Sequence, residues 1–175
     1  MLYVARHGQT EWNVQGRICG VTDVALTEEG RAQADALAKE VMKTSVDLII
    51  SSPLGRALET ARIVSERCGI PMQTDARLVE HNYGTHEGIH RDDAAFWEVK
   101  SNPACRHPMG ESAFDVAHRI YGFLDEIKET YAHKSILLVT HGGLCRILRT
   151  YFCNMTNEEL LHYQKENAKL EIYEF

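Results

Sequence analysis

Ser135-Ile136-Leu137-Leu138-Val139-Thr140 is apolar without alternation and breaks at once into His141-Gly142-Gly143. A half-wet strand alternates, so this run predicts a strand buried on both faces, as in the middle of a parallel sheet. Residues 2–5 and 46–51 read as two further strands, and Leu170-Glu171-Ile172-Tyr173 alternates as an edge strand should. Residues 72–74 are a further short candidate strand. Helical segments separate these runs. Thr27-Glu28-Glu29 supplies an N-cap hydroxyl and two first-turn carboxylates for a helix continuing through Ala34, Leu37, Ala38 and Val41. A second helix over 54–68 stops at Gly69, with Pro71 beyond it. The longest starts near Ser112 and is predicted to bury Phe114, Ala117, Ile120, Tyr121, Leu124 and Ile127 on one stripe. Shorter helices are expected near 143–152 and 156–163.

Strands alternating with helices predict an α/β fold, a three-layer α/β/α sandwich around a mainly parallel sheet. No repeat, low-complexity tract or linker interrupts the 175 residues. One domain over 1–175 is therefore expected, with a cap or insertion at about 89–110.

Composition excludes several classes of function. The formal net charge is −6, the wrong sign for non-specific binding to nucleic acid or anionic membranes. No apolar run approaches the roughly 18 residues of a membrane span, and residues 1–5 lack the form of a signal peptide. The five cysteines (Cys19, Cys68, Cys105, Cys145, Cys153) are odd in number and form no CxxC pair. A reduced, cytoplasmic protein is the expectation.

Ligands of such sheets bind at the carboxyl ends of the strands, and the polar clusters fall there. Arg6-His7-Gly8 follows the first strand, Ser51 to Arg56 the second, and His141-Gly142-Gly143 the strand near 140; Glu80 sits in an irregular stretch after residues 72–74. Taken singly, each has an ordinary explanation as a turn, core or surface residue. Together they bring two arginines, two histidines and a glutamate to one rim. Forked guanidiniums grip a tetrahedral dianion, a neutral imidazole can attack phosphorus, and a carboxylic acid can protonate the departing oxygen. The sequence has no Walker A loop and no paired carboxylates of magnesium-site type in these connections. Metal-free, cofactor-free phosphoryl transfer through a phosphohistidine fits.

Five blocks in order, RHGQTEWN (6–13), LTEEGRAQA (26–34), SSPLGRALETA (51–61), EHNYGTHEG (80–88) and THGG (140–143), resemble the histidine phosphatase superfamily, or phosphoglycerate mutase-like family. The resemblance implies that His7 is the nucleophile, its other ring nitrogen held by a backbone carbonyl. It implies a phosphate clamp of Arg6 and Arg56, with His141 as a further donor. Asn13 matches a phosphate-contacting position; Gln9, Thr10 and Gly142 are candidates at the same rim. Glu80 is implied as the general acid and then the base for water. The other branch of the superfamily places an Asp beside the second His; Gly142 stands there instead, which favours Glu80. Thr85-His86 replaces an aromatic residue usual before Glu-Gly, and Glu59 replaces a usual Gln. His81, Tyr83 and His86 are candidates for shaping the pocket mouth or for simple surface and support roles.

His86-Glu87-Gly88-Ile89-His90 also matches the zinc-protease motif H-E-x-x-H. That motif requires a continuous helix, which Gly84 and Gly88 interrupt, so no metal is expected. Among members of the family, hydrolysis is expected over mutase chemistry, because the mutases are longer and carry a tail that keeps water from the phosphohistidine. Cofactor-dependent phosphoglycerate mutase activity is the alternative, and a non-catalytic domain binding phosphorylated ligands is a third. The insertion carries Phe96, Trp97, Arg106 and His107, which either cover the pocket or merely pack the insertion down; Gly110-Glu111-Ser112 resembles a further family block. The resemblance implies a small phosphorylated metabolite, as for α-ribazole, sugar or glycerate phosphatases, without choosing among them. The exposed helix faces carry no strong heptad seam, so no coiled-coil partner is implied and the oligomeric state is left open.

Overall fold

The computed structural model describes residues 1–175. Its sheet contains β1 (Leu2–Arg6), β2 (Leu48–Ser51), β3 (Met72–Thr74), β4 (Ile136–Thr140) and β5 (Leu170–Tyr173), ordered β3-β2-β4-β1-β5. All neighbouring strands are parallel except β5, which pairs antiparallel with β1. The helices are α1 (Glu11–Val14), α2 (Glu28–Val41), α3 (Gly55–Cys68), α4 (Ala94–Lys100), α5 (Ala113–Thr130), α6 (Gly142–Phe152) and α7 (Asn157–His162).

β4 lies at the centre, and its unbroken apolar run has a direct cause. Ile136 and Leu138 face a core with Val116, Ile120, Phe123, Leu124 and Ile127 of α5 and the apolar face of α6. Leu137 and Val139 face the opposite core, with Leu37 and Val41 of α2 and Ala57, Ala61 and Val64 of α3. Successive side chains point to opposite faces of a strand. Two apolar layers therefore require Ile136 to Val139 of β4 all to be apolar, and the sheet is mainly parallel and flanked by helices on both sides. No helix is long and apolar enough to cross a membrane.

The capping signals act as their chemistry dictates. Thr27 accepts the N–H of Gly30. Ser112 forms a capping box with Asp115, and Gly69 ends α3 in the left-handed conformation at φ 68°. The predicted stripe of α5 is shifted, however. Phe114 is 63% exposed, while Val116 and Phe123 are buried with Ile120, Leu124 and Ile127. Phe114 lies in the first turn and, at about 100° per residue, on the side of α5 away from Val116, Ile120 and Phe123.

In the 89–110 stretch, α4 begins at an Asp93 cap that accepts the N–H of Ala95 and Phe96. Phe96 forms a small separate core with Ile18 and Tyr83, and Ile89 and Trp97 pack against it. This cluster stands over the carboxyl ends of the strands.

Candidate active site

His7 is the first residue beyond β1, and its N–H donates to the Thr140 carbonyl at 2.8 Å, extending the ladder by one step. Its ring Nδ1 lies 2.6 Å from the Gly8 carbonyl oxygen. A carbonyl can only accept, so Nδ1 carries the proton and Nε2 carries the lone pair. Arg56 Nε–H donates to that Nε2 at 3.3 Å. Burial, reinforced by the charges of Arg6 and Arg56, holds the His7 imidazole well below its ordinary pKa. His7 is therefore a neutral ring near pH 7.

Arg56, in the first turn of α3, is 0% exposed. Its Nη1 and Nη2 donate to the carbonyls of Thr22 and Gly20 at 2.9 and 2.6 Å. The guanidinium thus ties the loop after Asn13 to the imidazole as well as bringing charge to it. Arg6 at the end of β1 lines the pocket; its Nη1 donates to the Lys165 carbonyl, while its buried Nε has no protein acceptor.

His141 is fully buried at the end of β4, its Nε2 2.8 Å from the Ser52 hydroxyl and its Nδ1 without a protein partner. The His7 and His141 rings are 5.2 Å apart between centroids. Burial first, then Arg56 and His7, lowers the pKa of His141 well below its usual range.

Glu80 closes the opposite wall. Oε1 accepts the N–H of His81 and of Leu144, and Oε2 accepts that of Gly143, each at 2.8 Å. Two of these donors belong to the open first turn of α6, which fixes the position of the carboxyl group. A Cβ at Gly143 would meet the Tyr83 hydroxyl and Glu80 Oε1, so glycine is needed for this close approach.

The remaining expected rim residues divide. Asn13 and Gly142 line the cavity. Asn13 Oδ1 accepts the N–H of Thr10, completing a capping box on α1. Thr10 is buried as that cap, and Gln9 turns its Oε1 to the Thr27 hydroxyl at 3.0 Å. Neither Gln9 nor Thr10 lines the cavity; both brace the loop that carries Asn13. The cavity encloses about 220 Å³.

The 86–90 segment is not an α-helix. Residues Gly84–His86 make one 3₁₀ turn, and Gly88 adopts φ 82°. Glu87 accepts the N–H of Val21 and Thr22 at 2.9 and 2.7 Å, so it braces the same loop that Arg56 holds. His86 Nδ1 lies 2.8 Å from His107 Nδ1, one ring donating and the other accepting. His81 stacks on Tyr83 with centroids 4.6 Å apart. These rings support the wall beneath α4.

Several contributors carry no sequence signal. Asn167 donates to the His7 carbonyl at 2.7 Å, and Tyr163, Gln164 and Lys165 line the cavity. All four come from an irregular connection between α7 and β5. Ser52 could have been found as the hydroxyl ending β2. Arg146 sits one turn beyond Gly142 and Gly143 on α6, and that spacing was its only clue.

A sheet whose parallel strands deliver a neutral buried imidazole, guanidiniums and a helix-bound carboxylate to one cavity defines the class of α/β proteins built around an anionic ligand. A family model described as "Histidine phosphatase superfamily (branch 1)" matches residues 2–175. The chain belongs to the histidine phosphatase superfamily, branch 1, a superfamily of enzymes. "Probable phosphoglycerate mutase GpmB" of Yersinia pestis (strain Pestoides F) is 39% identical over 148 residues, 81% of this chain and 69% of that protein. A solved structure of mycobacterial glucosyl-3-phosphoglycerate phosphatase with VO3 superposes with a TM-score of 0.86 at 32% identity, covering 97% and 88% of the two chains. The α-ribazole phosphatase of Shigella flexneri gives a TM-score of 0.83 at 26% identity, covering 97% and 87%.

Proposed function

We propose that the chain is a phosphomonoesterase that hydrolyses a small phosphorylated metabolite through a phosphohistidine on His7. The observation carrying this reading is the 2.6 Å contact of His7 Nδ1 with the Gly8 carbonyl, which leaves the Nε2 lone pair inside a cationic cavity. Nε2 attacks phosphorus while the P–O bond to the leaving alcohol breaks, and protonated Glu80 gives its proton to that oxygen. Arg6, Arg56 and His141 stabilise the charge on the three equatorial oxygens, and Asn13 and Gly142 border them. As the P–N bond forms, the Arg56 Nε–H that faced the lone pair is left facing the phosphoryl group. In the second half, the Glu80 carboxylate takes a proton from water, the resulting hydroxide attacks phosphorus, and the P–N bond breaks to release inorganic phosphate.

One finding favours a second reading: the 39% identity to a protein whose name is that of a phosphoglycerate mutase. In a mutase the phosphoryl group returns to a different oxygen of the substrate instead of to water. Incubation with 3-phosphoglycerate and its bisphosphate primer separates the two. The hydrolase releases free phosphate; isomerisation without free phosphate would overturn the hydrolytic assignment.

A further inference from the structure

The carbonyl oxygen of Gly8 that accepts His7 Nδ1–H belongs to the peptide joining Gly8 to Gln9. The N–H of that same peptide donates to Gln33 Oε1 at 2.9 Å. A backbone N–H can only donate, so the Gln33 amide is fixed with its oxygen toward the loop, and its Nε2 lies 3.5 Å from Glu29 Oε1. The preceding peptide, between His7 and Gly8, is held at both ends as well. Its carbonyl accepts Asn167 Nδ2–H at 2.7 Å, and its N–H donates to Thr60 Oγ1 at 3.1 Å. Thr60 in turn donates its hydroxyl proton to the Arg56 carbonyl at 2.8 Å.

Three elements therefore meet on one glycine: α2 through Gln33, α3 through Thr60, and the α7–β5 connection through Asn167. Glycine has no side chain to limit its φ and ψ, so the direction of its carbonyl is set from outside. The α7–β5 connection is strained at this point. Ala168 is 4% exposed and sits at φ 50°, the left-handed region that a residue with a Cβ avoids. Its N–H donates to the Arg6 carbonyl at 2.9 Å, so Asn167 and Ala168 hold consecutive residues where β1 ends. Strain of this kind persists where the surroundings demand it, and it clusters at functional sites.

We propose that Gln33 and Asn167 are positioning residues for the nucleophile, acting through the two peptides that flank Gly8. The inference rests on the phosphohistidine reading. When His7 Nε2 takes a phosphoryl group the ring gains positive charge, and the Nδ1–H bond to the Gly8 carbonyl strengthens. A carbonyl already held in place meets that charge without reorganising. Gln33 also acts through polarisation, because donation by the N–H of a peptide makes the carbonyl of that peptide a stronger acceptor.

The two side chains play opposite parts, Gln33 accepting and Asn167 donating. A carboxylate in place of either amide keeps the shape and the acceptors but removes the donors. Gln33→Met should lower kcat for p-nitrophenyl phosphate about tenfold to a hundredfold with little change in KM, and Gln33→Glu should restore most of it. Asn167→Ala should lower kcat to a similar degree, and Asn167→Asp should fail to restore it. NMR of protein carrying isotope-labelled histidine reads the contact without turnover. The His7 Nδ1–H signal, identified by its absence in His7→Ala, should move upfield and exchange faster with water in Gln33→Met and Asn167→Ala. It should keep its wild-type position in Gln33→Glu. Both side chains are only half-buried, and if one variant fails to fold the other carries the test. Wild-type kcat in Gln33→Met and Asn167→Ala, a loss that Gln33→Glu does not recover, or an unmoved Nδ1–H signal would overturn the positioning role. The signal needs no substrate, so failure of the phosphohistidine reading shows as missing phosphate on His7, and failure of this inference shows in the spectrum.

Discussion

The carboxylate of Glu80 spans 63 residues of sequence to receive the N–H of Gly143 at 2.8 Å. The general-acid candidate is thereby fastened to the helix that starts beside His141, and the two walls of the cavity are joined through it. Its second α6 donor, Leu144, fixes the carboxylate plane as well as its position.

Glu80→Gln keeps the volume but loses the transferable proton and turns an amide toward helix N–H donors. Hydrolysis of an alkyl phosphate should fall about 10²–10⁴-fold. p-Nitrophenyl phosphate, whose leaving group needs no proton, should lose far less. Thermal melts should show a loss of roughly 1–2 kcal/mol from the helix terminus. Equal losses on both substrates would argue against an acid role.

His7→Ala should reduce turnover by at least about 10³-fold. Brief exposure of wild type to substrate followed by rapid quench should leave acid-labile, base-stable phosphate on His7, and none on the variant. Wild-type-like turnover in His7→Ala would end the phosphohistidine mechanism.

Gly8 presses against the backbone of α2, where an added Cβ would collide with the Gly30 carbonyl oxygen. Backbone cannot step aside as a flexible side chain can. Gly8→Ala should therefore cost more than about 2 kcal/mol in urea unfolding, and should disturb the Gly8 carbonyl that sets the His7 tautomer. A variant with wild-type stability would show that the loop relaxes freely.

Stability should fall on mild acidification. Burial holds His7, His81, His107 and His141 below the ordinary imidazole range, His107 at about 4. Below the unfolded value of about 6.5 the unfolded chain takes up protons that the fold refuses, so stability is lost as pH falls and levels off above that value. Each such histidine contributes a slope of about 1.4 kcal/mol per pH unit within its window. Urea midpoints between pH 7.5 and 4.5 should trace this decline, and His107→Gln should flatten it. A flat profile would mean these rings are protonated in the fold.

The central strand was legible because its environment is two-sided: consecutive buried positions leave an apolar run without alternation from Ile136 to Val139. The caps at Thr27, Ser112 and Gly69 were legible because their chemistry is local. The α5 stripe was misplaced at Phe114 since apolar residues run round more than one side of α5, and their spacing does not say which side meets the sheet. The short α1 and α4 were not expected; four and seven residues carry too little periodicity to register.

By itself the sequence determined the alternation of strand and helix, and placed His7, Arg6, Arg56, His141 and Glu80 at strand ends where such sheets bind ligands. Those are properties of neighbouring residues. Only the tertiary structure decided that Arg56 holds the carbonyls of Gly20 and Thr22, that Asn167 grips the His7 carbonyl across 160 residues, and that Gln9 and Thr10 face away from the cavity. It also decided that Gln33 receives the N–H of Gln9. Each depends on which distant backbone happens to lie within 3 Å of a side chain, and local pattern holds no record of that distance.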